Sequence, residues 1–104
     1  MENQEFKELT SDNITDHLTQ EQKSVVIFTA PWCGPCKMIK PRIPEIASSH
    51  GVSAFWVDLD KNPALASSYN IQAVPFIITY KNGSAVESFA TNNAQKIEEM
   101  ISRL

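Results

Sequence analysis

The stretch from Ser24 to Ala30, SVVIFTA, constrains the fold more than any other part of the sequence. It carries no charge, is rich in β-branched and apolar residues, and does not alternate between apolar and polar side chains. A strand with one face in water alternates, whereas a strand covered on both faces reads as a continuous apolar run. The stretch therefore predicts a central strand, ended by Pro31, in a sheet with helices packed on both faces.

Hydrophobic periodicity and turn residues divide the rest of the chain into strands and helices. Asn82-Gly83 is the strongest hairpin signal, and it joins the last two strands. The predicted strands are Phe6 to Leu9, Ser24 to Ala30, Ser53 to Asp58, Phe76 to Lys81 and Ser84 to Phe89. The predicted helices run from an N-cap at Ser11 to about Gln20, from Cys33 to about Ser49, from Asn62-Pro63 to about Tyr69, and from an N-cap at Asn92 or Asn93 through Leu104.

This order of elements predicts an α/β fold with a central mixed five-stranded sheet flanked by four helices. Helical crossovers connect parallel strands, and the terminal hairpin adds antiparallel ones. A length of 104 residues fits one domain, so we expect residues 1–104 to form a single unit.

Composition and charge exclude several classes of function. The net charge is −3 and no cluster of Lys or Arg exists, so nucleic acid is not expected as a partner. No apolar run approaches the roughly 20 residues that span a bilayer, and no membrane association is expected. The first ten residues, MENQEFKELT, lack the basic start and apolar stretch of a secretory signal. We therefore expect a cytoplasmic protein, acting as a monomer.

The only two cysteines, Cys33 and Cys36, form one Cys-x-x-Cys pair at the junction between strand and helix. A disulfide across two intervening residues restricts the unfolded chain very little, which argues against a scaffold role. The first helical turn carries partial positive charge, so it stabilises a thiolate at Cys33. Cys36 follows one turn later on the same face. Gly34 allows another chain to approach closely, and Pro35 stiffens the turn.

Three other interpretations of the cysteine pair compete with a redox dithiol. A zinc site usually needs four ligands, and His17 and His50 have no fixed spacing to the pair, so no metal is expected. Two buried cysteines without a role do not explain the Gly-Pro insert and the flanking Trp32. A binding module that keeps the redox fold remains an alternative, although the intact pair favours redox chemistry.

The sequence from Trp32 to Lys37, WCGPCK, resembles the active-site signature of the thioredoxin family. Ala73-Val74-Pro75 is similar to the family's segment with a cis-proline, and Lys81-Asn82-Gly83 resembles its hairpin. Pro41 matches the proline that kinks the family's long helix. The element order agrees from about Phe6 to the end, so the resemblance covers nearly the whole chain.

The resemblance implies a protein dithiol-disulfide oxidoreductase. Cys33 would attack a disulfide in a protein substrate, and Cys36 would resolve the mixed disulfide, leaving the redox-active disulfide Cys33–Cys36. A thioredoxin reductase using NADPH would restore the dithiol. No bound cofactor and no metal are implied.

The resemblance also implies a shallow apolar docking surface beside the cysteines. Pro75 is expected to follow a cis peptide bond, where the backbone of Val74 pairs with an extended partner strand. By its own spacing, four residues after Cys33, Lys37 would add a weak, screened attraction for the Cys33 thiolate. Asp58 and Asp60 have two readings: they solvate the end of the strand, or Asp60 orders the Trp32 indole by a hydrogen bond. The residues expected to line the surface are Trp32, Gly34, Val74, Pro75 and Ala90.

The chain departs from the family pattern behind the cysteines. Ile27 stands where the family usually carries a buried Asp, and Trp56 stands where the Asp usually has a charged partner. Loss of both charges together is compatible with an apolar core. The family's Asp is thought to take the proton of the resolving cysteine, so the sequence predicts slower resolution near neutral pH. A specialised member with low activity is therefore a further alternative.

Overall fold

A computed structural model describes residues 6–104. The first five residues, which entered the predictions of a domain over residues 1–104 and of no secretory signal, lie outside the described part. The strands are β1 (Phe6–Leu9), β2 (Lys23–Thr29), β3 (Ser53–Asp58), β4 (Phe76–Lys81) and β5 (Ser84–Ala90). The helices are α1 (Ile14–Thr19), α2 (Gly34–Ile39), α3 (Ile43–Ser48), α4 (Pro63–Ser68) and α5 (Ala94–Ser102), with a 3₁₀ turn over Lys40–Arg42.

The five strands form one mixed sheet in the order β1-β3-β2-β4-β5. β3 pairs in parallel with both β1 and β2, and β4 pairs antiparallel with both β2 and β5. The predicted mixed sheet is confirmed, with the apolar β2 at its centre. Ile27 of β2 lies between Trp56 of β3 and Ile77 of β4.

The two faces of the sheet bury separate apolar clusters, as the non-alternating β2 predicts. Val25 and Ile27 belong to one cluster, and Val26 and Phe28 belong to the other; all four side chains are fully buried. The first cluster also contains residues of α2, α3 and α5, namely Ile39, Ile43, Ala47, Ile97, Met100 and Ile101. The second contains residues of α1 and α4, namely Ile14, Leu18 and Leu65.

The helix predicted from Cys33 to Ser49 is interrupted. α2 ends at Ile39, the chain makes a 3₁₀ turn, and α3 begins at Ile43. Pro41 lies in the 3₁₀ turn and Pro44 in the first turn of α3, and neither has an N–H to donate. The four flanking helices are found when α2 and α3 count as one broken helix. The break places Lys40 at a bend.

The start of the first helix was predicted wrongly. Asn13, and not Ser11, occupies the N-cap position, and α1 begins at Ile14. The Asn13 Oδ1 accepts from the backbone N–H of Thr10 at 2.8 Å, and the Ser11 N–H donates to Asn62 Oδ1 at 2.9 Å. This second bond crosses 51 positions of sequence, which is why local pattern does not show it. At α5 the Asn93 cap is confirmed, with its Oδ1 accepting from the N–H of Lys96 at 3.0 Å.

The hairpin between β4 and β5 depends on Gly83, and replacing it with alanine is expected to destabilise the fold. Gly83 has φ +86°, and an added Cβ would lie 2.9 Å from Thr19 Cγ2. Strain at such a position costs about 1–3 kcal/mol. We expect Gly83→Ala to lower the free energy of unfolding by that amount in urea titrations. Combining it with Thr19→Ala should recover part of the loss, and an unchanged midpoint in Gly83→Ala would contradict this account.

Candidate active site

The cysteine pair lies where β2 gives way to α2. Cys33 is the N-cap residue of α2, with φ −90° and ψ 108°, and its Sγ accepts from the backbone N–H of Cys36 at 3.2 Å. Pro35 lies in the first turn, where its missing N–H leaves no hydrogen bond unmade. A disulfide joins Cys33 to Cys36, with the two Cα atoms 5.3 Å apart. The structure therefore shows the oxidised form of a dithiol.

The surroundings of the two sulfurs are apolar and tightly packed. Cys33 and Cys36 are 4% and 2% exposed, and they form a small cluster with Ala30 and the partly buried Val74. At Cys33 the helix N-terminus supplies partial positive charge, and the N–H of Cys36 already points at Cys33 Sγ. This geometry favours Cys33 as the sulfur that carries negative charge in the reduced form.

The residues predicted to form a docking surface come from three separate segments. The Val74–Pro75 peptide bond is cis, and the Pro75 carbonyl accepts from the N–H of Thr91 at 3.1 Å. That bond holds the end of β5, including Ala90, against the segment that contacts the cysteines. Gly34 has open space around the position of a Cβ, so its face of α2 is uncovered.

Trp32 stands out from this region into solvent. Its side chain is 72% exposed, and its indole Nε1–H donates to Asp60 Oδ1 at 3.3 Å. The hydrogen bond expected between these two side chains is therefore present. The backbone N–H of Asp60 in turn donates to Asp58 Oδ1 at 2.9 Å, which links the loop after β3 to a buried carboxylate.

An apolar side chain, Ile27, occupies the position where the family usually carries a buried acid. Ile27 is fully buried, in one cluster with Ile39 and Ile77. Trp56 lies beside it in the parallel register of β2 and β3 and packs partly against the same cluster. The replacement of both charged positions by apolar side chains thus leaves no unpaired charge in the core.

A positive charge nevertheless lies close to this position, and the sequence analysis missed it. The Lys40 Nζ lies 3.2 Å from the centroid of the Trp56 ring, in the geometry of a cation–π contact. Burial lowers the pKa of Lys40, and the carboxylates of Glu8 and Asp58 oppose that change. Lys40 is four residues after Cys36, and this i, i+4 spacing is the one sequence signal that links the two.

A cavity of about 240 Å³ lies beside the resolving cysteine. Its solvent side is formed by Pro31 and Lys37, which are both exposed. Cys36, Lys40 and Asp58 all line this cavity, although no short sequence motif connects the three. The lining residues are Thr29, Ala30, Pro31, Cys36, Lys37, Lys40, Trp56 and Asp58.

Residues 6–104 contain neither a side-chain cluster suited to a metal ion nor a helix suited to span a membrane. Within that range, no group of three or more His, Cys, Asp and Glu side chains is arranged to hold a metal ion. No helix among the described elements is long and apolar enough to cross a membrane.

Comparison with known proteins agrees with the site. A family model described as Thioredoxin matches residues 5–103. The chloroplastic M-type thioredoxin of Spinacia oleracea is 40% identical over 73 residues, covering 68% of this chain and 40% of that protein. The thioredoxin of Gallus gallus is 39% identical over 85 residues, covering 81% of each. The crystal structure of reduced Schistosoma mansoni thioredoxin superimposes with a TM-score of 0.87 at 36% identity, covering 95% of this chain and 97% of that one. This chain spans less than half the length of the spinach protein.

Proposed function

Because this chain belongs to the thioredoxin family, we propose that it is a thiol-disulfide oxidoreductase that reduces disulfide bonds in other proteins. The observation that carries the proposal is the disulfide across the first turn of α2, with Cys33 at the helix N-cap and Cys36 one turn on. A dithiol that closes so short a loop is suited to reversible exchange rather than to cross-linking the fold.

In the proposed reaction two electrons pass from the dithiol to a partner disulfide. The Cys33 thiolate attacks one partner sulfur, the partner S–S bond breaks, and the first partner thiolate leaves. Cys36 then loses its proton and attacks Cys33 Sγ, which releases the second partner sulfur as a thiolate. Two protons complete the two partner thiols, and the Cys33–Cys36 disulfide remains.

A reductant must return the disulfide to the dithiol after each turnover. We propose that a thioredoxin reductase supplies these electrons from NADPH, as the family membership suggests. Thioredoxins need no bound cofactor, and the chemistry proposed here is complete with two sulfurs.

We propose that partners bind across Trp32, Gly34, Val74, Pro75 and Ala90. The support is that Val74 packs against the cysteines and that Trp32 presents its face to solvent while Asp60 holds its indole N–H. Pro35 stiffens the turn that carries both sulfurs. Lys37, on the solvent side of the cavity, adds a screened positive charge.

We propose that the protein acts as a monomer in the cytoplasm. Both sulfurs come from one chain, so the reaction needs no second copy. A reducing compartment keeps such a dithiol ready to react. The first and last described strands belong to one sheet, which supports treating residues 1–104 as one domain.

The test is turnover of a protein disulfide with NADPH and a thioredoxin reductase, followed as loss of NADPH absorbance. We expect turnover that requires Cys33, with Trp32→Ala raising KM for a protein disulfide more than for a small one. Slow turnover that requires Cys33 would support the specialised member that Ile27 suggests. Failure of the reduced protein to reduce any disulfide would overturn the proposal and favour a binding adaptor.

A further inference from the structure

Resolution of the mixed disulfide, on which the proposed function rests, requires Cys36 to lose a proton in a buried place. Cys36 is 2% exposed, and its thiol has to become a thiolate before it can attack Cys33. An apolar surrounding raises the pKa of a thiol, so a nearby proton acceptor has a large effect. Ile27 offers none, which leaves the question of where this proton goes.

The cavity beside Cys36 contains a proton acceptor, Asp58, on the face of the sheet to which Ile27 also points. Side chains two residues apart on a strand share a face, so Ile27 and Thr29 of β2 point the same way. Their register partners on β3 are Trp56 and Asp58. Asp58 therefore lies one step, roughly 6.6 Å along the strand, beyond the position of the family's usual charged partner.

The carboxylate of Asp58 is held in place rather than free in solvent. The residue is 8% exposed, and its Oδ1 accepts from the backbone N–H of Asp60 at 2.9 Å. Asp58 and Cys36 line one cavity of about 240 Å³. Such a volume holds several water molecules, since each takes roughly 30 Å³ in the liquid. Water can therefore connect the Cys36 sulfur to the Asp58 carboxylate.

Lys40 supplies the counter-charge in the same cavity. Its Nζ lies over the Trp56 ring, and Glu8 and Asp58 both act on it electrostatically. The other charged groups nearby are Lys37, on the solvent side of the cavity, and Lys61, whose Nζ lies 3.7 Å from Glu8 Oε2. A cation at Lys40 stabilises negative charge in the cavity, including a thiolate at Cys36.

We propose that Asp58 accepts the Cys36 proton through water in this cavity, and that Lys40 is the positioning residue that stabilises the resulting thiolate. The Cys36 S–H bond breaks, and a water-mediated transfer protonates the Asp58 carboxylate. The Cys36 thiolate forms its bond to Cys33 Sγ as the bond from Cys33 to the partner sulfur breaks. Asp58 then returns its proton to solvent between Pro31 and Lys37, and the released partner thiolate takes up a proton.

The experiment separates the two chemical steps with an aromatic disulfide whose thiolates absorb visible light. Rapid mixing with the reduced protein gives a first, concentration-dependent release when Cys33 attacks. A second, concentration-independent release follows when Cys36 resolves. Cys36→Ser gives the first release alone, which assigns the phases. Absence of the first phase would overturn the proposed function itself, whereas the proposal made here concerns the second phase only.

Asp58→Asn is the main variant, because the amide keeps an Oδ1 that accepts from the Asp60 N–H. A positioned base contributes about 10²–10⁴-fold, and with transfer through water we expect the second phase to slow at least about tenfold at pH 7. The difference should shrink above about pH 9, where hydroxide ionises the thiol directly. A carboxylate acting only as a like charge would oppose the thiolate, so its removal would speed the second phase. An unchanged or faster second phase therefore overturns the proposal.

Lys40 is tested with a matched pair of variants and a control. We expect Lys40→Met to slow the second phase several-fold near pH 7 and to shift its pH profile upward, and Lys40→Arg to restore both. Lys61→Met removes another cation beside Glu8 but outside the cavity, and it should leave the second phase unchanged. Equal effects of Lys40→Met and Lys61→Met would overturn the role of Lys40. The comparison of the Lys40 and Lys61 variants still tests the proposal if Asp58→Asn fails to fold.

Discussion

Replacing Cys33 with serine is expected to abolish disulfide reduction, whereas replacing Cys36 with serine leaves one attack per molecule. Cys33 is the N-cap of α2, where an N–H from the first turn already points at its sulfur. A serine hydroxyl at this position is a far weaker nucleophile. We expect turnover to fall on the order of 10⁴-fold or more in Cys33→Ser.

The Cys36 variant should fail at a different step. The first thiolate is released at the normal rate, but the mixed disulfide at Cys33 persists because no second sulfur lies within reach. Turnover then depends on an external thiol. Both variants replace a buried side chain of similar size, so thermal denaturation should show that each remains folded. Retention of normal turnover in either variant would contradict the proposed roles.

Restoring an acid at position 27 is expected to destabilise the protein by about 3–5 kcal/mol. Ile27 is fully buried between Trp56 and Ile77, so a carboxylate there has apolar side chains on both sides in the sheet. Burial raises the pKa of such an acid above its value in the unfolded chain. The unfolded chain then loses the proton first, near pH 4, while the folded chain still holds it.

The decrease in the free energy of unfolding caused by Ile27→Asp should therefore become larger as the pH rises. From about pH 4 up to the raised folded-state pKa, the native state binds more protons than the unfolded state, and stability falls by about 1.4 kcal/mol for each pH unit. Ile27→Asn has nearly the same shape without the titration, and its loss should stay constant. Urea titrations at several pH values measure both. Equal losses at pH 4 and pH 8 in Ile27→Asp would contradict this account.

The rate of resolution in Ile27→Asp also tests which group takes the Cys36 proton in a chain that lacks the family's acid. Above its own raised pKa, an acid at position 27 gives Cys36 a proton acceptor, so resolution between that pKa and pH 8 should quicken. If Asp58 already takes the proton, Ile27→Asp should increase the rate of resolution only slightly when Asp58 is present. The increase should be larger when Asp58 is replaced by Asn. A gain of equal size in both backgrounds would mean that the two acids act independently.

Much of the fold was predictable from local pattern. The uncharged stretch from Ser24 lies in β2, the Asn82-Gly83 turn joins β4 to β5, and Asn93 is the one of the two predicted caps that the structure uses. The cis bond before Pro75 came from the family resemblance and could not have been read from propensity alone. The start of the first helix was predicted wrongly. The N-cap is Asn13 and not Ser11, whose N–H donates instead to the side chain of the distant Asn62.

The chemistry behind the cysteines was predictable only in part. The apolar Ile27 and Trp56 were identified by position, but the cation over Trp56 was not. Lys40 lies in the 3₁₀ turn between α2 and α3, where Pro41 and Pro44 interrupt the helix, and its Nζ contacts that ring. Asp58 is the last residue of β3, and only the folded chain brings it to the cavity that Cys36 lines.

The most direct measurement of the central claim is the intact mass of reduced Cys36→Ser after mixing with a disulfide-bonded protein substrate. The account predicts one covalent adduct per molecule, attached at Cys33, that a small thiol reductant releases. The double variant Cys33→Ser with Cys36→Ser should form no adduct. An adduct that forms without Cys33, or no adduct on Cys36→Ser while the wild type reduces the same substrate, would contradict it.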